Sequence, residues 1–121
     1  MAVRILLEVE GTALAATLED TAVARDFAAL LPLDLLLDDY AATEKIAYLP
    51  RKLMTAGAPP GTAAVAGDIS YYAPWGNLAL FYRSSGQAKG LVRLGRLDDQ
   101  DGVDALRRAG SLRATIEIVQ T

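Results

Sequence analysis

LRATIEIV, residues 112–119, decides the reading of this chain: Leu112, Ala114, Ile116 and Ile118 fall on one face, Arg113, Thr115 and Glu117 on the other. A period of two is that of a half-buried strand. VRILLEVE, residues 3–10, repeats the pattern, with Val3, Ile5, Leu7 and Val9 on one side and, apart from Leu6, polar residues opposite. Two strongly patterned termini can pair with each other, which would close a sheet into a barrel and remove its exposed edges.

Working inward, Gly11 reads as a turn and TALAATL (12–18) as a second strand, so residues 2–18 form an opening hairpin. EDTAVARDFAALLP (19–32) changes period: Val23, Phe27, Leu30 and Leu31 share a helical face, Asp20 or Thr21 can cap it, and Pro32 ends it. LDLLLDD (33–39) and EKIAYLP (44–50) read as strands. Residues 51–66 carry Gly, Pro-Pro-Gly and small residues without period and read as a long irregular connection.

Strands are expected at about 68–73 and 77–83, joined by an APWGN turn whose Gly76 and Asn77 tolerate positive φ. SSGQAKG (84–90) reads as a flexible hairpin tip and LVRLGRL (91–97) as a strand. DDQDGVDALRRAGS (98–111) reads as a short helix with acids first, Arg107 and Arg108 last, and Gly110 as its stop, an order that complements the helix dipole. Seven or eight strands and two helices without a βαβ rhythm predict one mainly β domain over residues 1–121, built as an antiparallel barrel.

Composition sets limits on function. The chain has no cysteine and no histidine, which removes thiol chemistry, a Ser-His-Asp triad and histidine zinc sites. The acids at 98, 99 and 101 and at 38 and 39 do not follow a calcium-loop spacing and read as caps and turns, so neither a metal nor a cofactor is expected. A net charge of -3 without a basic block argues against nucleic acid. The apolar runs are too short for a membrane span, and Arg4 is followed by only three apolar residues before Glu8, unlike a secretory leader. A cytoplasmic location is the expectation.

YLP (48–50), PPG (59–61), GDI (67–69), NLALFY (77–82) and RLGRLDD (93–99) occur in an order and spacing that resemble the bacterial cyclophilin-like domain family over nearly the whole chain. The resemblance implies a closed eight-stranded antiparallel barrel with a short helix capping each end. Authentic cyclophilins are peptidyl-prolyl isomerases, whose arginine polarises the prolyl amide in a pocket with a Phe-x-x-Gln motif, further aromatic residues and a histidine. Here TAAV (62–65) stands ahead of AGDI where that motif is wanted, only Gly67 and Asp68 match the Gly-Gly-Asp that follows it, and Arg51 lies across a loop of different length. The catalytic role is therefore not carried over to Arg51.

Five of the eight aromatic residues lie in residues 71–82: Tyr71, Tyr72, Trp75, Phe81 and Tyr82. Strand alternation sends Tyr71 and Tyr72 to opposite faces, and Phe81 and Tyr82 likewise, so some rings fill the barrel while others lie under a loop or in a groove. Trp75 sits in the turn, where it either packs on the 51–66 segment or contacts a ligand. Arg96 shares a strand face with Val92 and Leu94, and is expected to be partly buried against Glu44 or Asp68, or to line a pocket. The expected function is binding of a small molecule or extended peptide in a groove between residues 43–62, the Trp75 turn and the Arg96 strand, with prolyl isomerisation as the alternative. The candidate ligand-binding residues are Glu44, Tyr48, Arg51, Asp68, Tyr72, Trp75, Tyr82 and Arg96.

Overall fold

The computed structural model describes residues 2–119. In chain order the elements are β1 (Val3–Val9), β2 (Thr12–Leu18), α1 (Ala22–Ala28), β3 (Leu33–Tyr40), β4 (Glu44–Tyr48), β5 (Gly61–Ala64), β6 (Asp68–Tyr72), β7 (Asn77–Phe81), β8 (Ser85–Lys89), β9 (Leu91–Leu97), α2 (Gln100–Leu106) and β10 (Leu112–Ile118). Eight strands close into an antiparallel barrel in the order β1-β10-β3-β4-β7-β6-β9-β2. The terminal strands pair as their patterns require, with Ile5 opposite Ile118, Leu7 opposite Ile116 and Val9 opposite Ala114.

The alternating faces meet inside. Ile5, Leu7, Leu18, Leu37, Ile69, Tyr71, Leu78, Leu80, Leu94 and Ile116 are almost wholly covered, and Phe27 of α1 and Leu106 of α2 join the same core. At about 25 cal/mol per Å² of apolar surface removed from water, side chains of this size each contribute about 2 kcal/mol. Between β2 and β9 the strands come so close that a Cβ on Gly95 would fall on the Thr17 carbonyl oxygen and lie 2.8 Å from Leu18 Cα. Only glycine fits this seam of the barrel.

Thr21 caps α1, its Oγ1 accepting the Ala24 N–H at 3.2 Å. The helix packs by Val23, Ala24 and Phe27. The second helix lies beyond the other end of β9, where Gly102 lets it approach Leu97 and Leu14. It is shorter than its charge pattern predicts: it stops at Leu106, so Arg107 and Arg108 lie past its last turn. The segment that follows it is held by a cation from elsewhere. Lys45, inward on β4 and 1% exposed, donates from Nζ to the carbonyls of Arg108 (2.7 Å) and Gly110 (2.8 Å).

Two segments differ from the sequence reading. Residues 61–64 are not irregular and 85–89 are not a free hairpin tip: they are β5 and β8, paired antiparallel as a two-stranded arm outside the barrel. Beneath the arm a second small core forms, with Ala64 and Ala88 against Phe81 and Leu91 and with Ala79 and Tyr72 beside them. Neither described helix is long and apolar enough to cross a membrane.

Candidate functional site

Two clefts border the arm, one lined in part by Thr62 of β5 and the other by Ser85 and Ala88 of β8. One, of about 360 Å³, lies between the start of α1, residues 56–59 and the beginning of β9. Its walls are mainly apolar, from Ala22, Val23, Ala58, Pro59, Leu91 and Val92. At one side Arg93 faces Glu19, Nε to Oε2, at 3.0 Å. The loop wall is held from below: the Leu53 N–H donates to the buried Tyr71 hydroxyl at 3.1 Å, and Asp26 of α1 accepts the Met54 N–H at 2.8 Å.

The other cleft, of about 150 Å³, lies between the ends of β3 and β4, the β6–β7 turn and β8. Gly76, at φ 68°, lets that turn close. Trp75 is thereby laid edge-to-face against Tyr40 and Tyr72, with ring centroids 5.3 and 5.4 Å apart. Pairing places Tyr40, Glu44 and Phe81 in a row across β3, β4 and β7. Burial pushes the Glu44 carboxyl above its ordinary pKa of 4.5.

Of the residues singled out from the sequence, Glu44, Tyr72 and Trp75 come together here. The others are dispersed. Tyr48 is 65% exposed on β4. Both terminal guanidinium nitrogens of Arg51, Nη1 and Nη2, donate to Asp26, at 2.9 and 2.8 Å, strapping the loop to α1 and holding that carboxyl down at about 2. Tyr82 points into the barrel and donates to Asp39; desolvation first, then that bond, pushes its phenol up to about 12.

Arg96 is exposed rather than partly buried. A bulge between Ile69 and Ser70 pairs Gly95 with Ile69 and Arg93 with Ser70, skipping Leu94, so the alternation of β9 changes phase and Arg96 leaves the face of Val92 and Leu94. Its partner is Asp68, Nη2 to Oδ1 at 3.5 Å, rather than Glu44. Asp68 is buried, its Oδ2 accepting the Val65 N–H at 3.0 Å at the corner between β5 and β6 while its Oδ1 accepts no hydrogen bond. Trp75 packs edge-to-face on Tyr40 and Tyr72.

Sequence reasoning missed Tyr40, whose place beside Glu44 follows only from β3–β4 pairing, and Arg93, which alternation leaves outside the Val92–Leu94 face at the edge of the larger cleft. It also missed Lys45. The one available signal was its position in step with Ala47, on the inward face of its strand.

The fold is similar to that of a hypothetical protein from Archaeoglobus fulgidus known from its solution structure, with a TM-score of 0.64, 16% sequence identity, and coverage of 97% of this chain and 95% of that one. No curated protein sequence matches the chain. The model of the cyclophilin-like family, in contrast, matches residues 7–117, from within the first strand to within the last. With the closed eight-stranded barrel and its two helices, that match places the chain in the cyclophilin-like family.

Proposed function

We propose that this domain is a binding module that seats a small apolar molecule or an extended peptide segment, without efficient catalysis. The observation that carries this reading is the larger cleft. Its volume of about 360 Å³ falls within the usual range of ligand pockets, and its apolar walls end at one charged side chain pair. A ligand would lay its apolar body along Val23, Ala58, Leu91 and Val92, and turn a carbonyl or carboxylate toward Arg93.

Isomerisation would call for a guanidinium set over an apolar prolyl seat. Arg51 is engaged by Asp26, Arg93 at the edge of the cleft is paired with Glu19, and Arg96 lies on an exposed face beside Asp68, away from the walls of this cleft. Those placements favour binding. Thermal-shift and NMR titrations with proline-containing peptides and a metabolite set test the reading. The expected outcome is a ligand whose shifts centre on residues 22, 58 and 92 and whose binding is lost in Ala22→Trp, a substitution at an exposed position that fills the cleft. Silence throughout would overturn it, as would proline-isomerase activity that disappears on substituting Arg51, Arg93 or Arg96.

A further inference from the structure

The smaller cleft has features that core packing does not account for. Tyr40 and Trp75 are 43% and 46% exposed, so two large rings stand in water rather than in the interior. Both Tyr40 and Tyr72 are nearly perpendicular to Trp75, at 85° and 81°, so the three rings form walls of different orientation. Phe81 and Leu91 lie below them. Glu44 opens into the same space, half-buried, and among the described residues its carboxylate accepts no hydrogen bond and meets no cation. Arg96, the cation expected for it, is held by Asp68.

We propose that this cleft binds an alkylated ammonium group, seated among the rings of Tyr40, Tyr72 and Trp75 with Glu44 as its counter-ion. Aromatic faces carry negative potential and attract a cation, most strongly for Trp and when water is excluded. An alkylated ammonium suits such walls because its methyl or methylene groups bring apolar surface along with the charge. An anion would be repelled by Glu44. A neutral apolar ligand would strip water from that carboxylate without replacing it, which is costly. A hard metal ion would find one carboxylate where calcium takes six to eight oxygens. The cleft shares only Leu91 with the larger one, so this proposal and the binding function above stand or fall separately.

Choline and its uncharged isostere 3,3-dimethylbutan-1-ol, titrated separately into the protein, are the discriminating probes. Trp75, the single tryptophan of the chain, reports its own cleft by fluorescence. Choline should give a saturable change and bind at least about tenfold more tightly than the isostere, since a desolvated cation–aromatic contact is of that order. Glu44→Gln should weaken choline by about tenfold through loss of the charge-assisted contact. Tyr40→Leu, at an exposed position, should weaken it about fivefold while far-UV circular dichroism stays unchanged. A short peptide carrying trimethyllysine, run alongside, separates the two sources of this chemistry: equal affinity for both ligands means that the head group alone is read, and tighter peptide binding means that a chain-borne ammonium is the ligand. Choline binding no tighter than its isostere, or unaltered by Glu44→Gln, would overturn the proposal.

Discussion

Glu44 and Lys45 are neighbours on β4, and the pleat sends them to opposite sides of the barrel wall. Lys45 points inward and is almost completely covered. Its ammonium donates to two carbonyls past the end of α2, forms an ion pair with Asp39 3.4 Å away, and lies 5.9 Å from the centre of the Tyr82 ring. Glu44 points outward into a half-open aromatic cleft and has no such partners among the described residues. The pair shows two uses of charge. A buried charge with its partners in place joins distant segments of the fold, here β4 to the chain that follows α2. A half-buried charge left unsatisfied costs stability and gains its partner only when a ligand arrives.

The strongest way to break this contrast is Lys45→Met. The substitution keeps most of the side-chain volume but leaves the Arg108 and Gly110 carbonyls without their donor and Asp39 without its cation. Removing one partner of a buried charged network costs about 3 kcal/mol, which for a chain of this size is a fall of about 10 °C in Tm. Urea unfolding followed by circular dichroism measures it. A stability equal to that of the parent would mean that Lys45 does not anchor the end of α2.

Tyr82→Phe probes the same inner network more gently, by deleting one hydroxyl and keeping the ring. The Asp39 carboxyl is held below its ordinary pKa first by the hydrogen bond from Tyr82 and then by Lys45. The expected loss is about 1 kcal/mol, the size of one hydrogen bond whose acceptor is still partly reached by water. Its pH dependence has a definite sign. A carboxyl with a depressed pKa in the folded state stabilises above its unfolded value, about 3.9, and that contribution vanishes as pH falls through the folded value. The gap between parent and variant should therefore be full at pH 6 and narrow below about pH 4. A gap that widens on acidification would contradict the Tyr82–Asp39 link.

The inner network and the outer cleft were not equally legible in the sequence. The barrel could be read because β1 and β10 alternate strictly, and α1 because Val23 and Phe27 recur at the helical period above a threonine cap. The arm could not. Gly61, Ser85 and Gly86 carry no alternation and low strand propensity, and what orders them is mutual pairing over the Phe81–Leu91 surface, a contact between distant parts of the chain. Arg96 was assigned the wrong face for a related reason: strict alternation holds until a bulge inserts a residue, and every later side chain then changes sides. Within the site, Trp75 stands out in the sequence as a large ring in a turn, whereas Glu44 reads as a partner for Arg96 and Tyr72 as one of two rings that strand alternation splits. That they share one cleft depends on the curvature of the barrel, which no local pattern carries.

Glu44→Gln should have the smallest effect and, unlike the two inner substitutions, the opposite sign. Burial raises the Glu44 carboxyl above its ordinary pKa, so the folded state holds that proton more tightly than the unfolded one. Stability is then lost as pH rises from the unfolded value, about 4.3, through the folded one, because the folded protein must carry a partly desolvated charge. Glutamine removes that cost. At pH 7 the variant should be more stable than the parent by up to about 0.5 kcal/mol, a small figure because water screens a half-exposed group, and the two should converge below about pH 4 where both side chains are neutral. Paired thermal melts from pH 3.5 to 7.5 measure the difference. A variant less stable than the parent at neutral pH would show that Glu44, like Lys45, has a partner within the fold, and the contrast between the two faces of β4 would be lost.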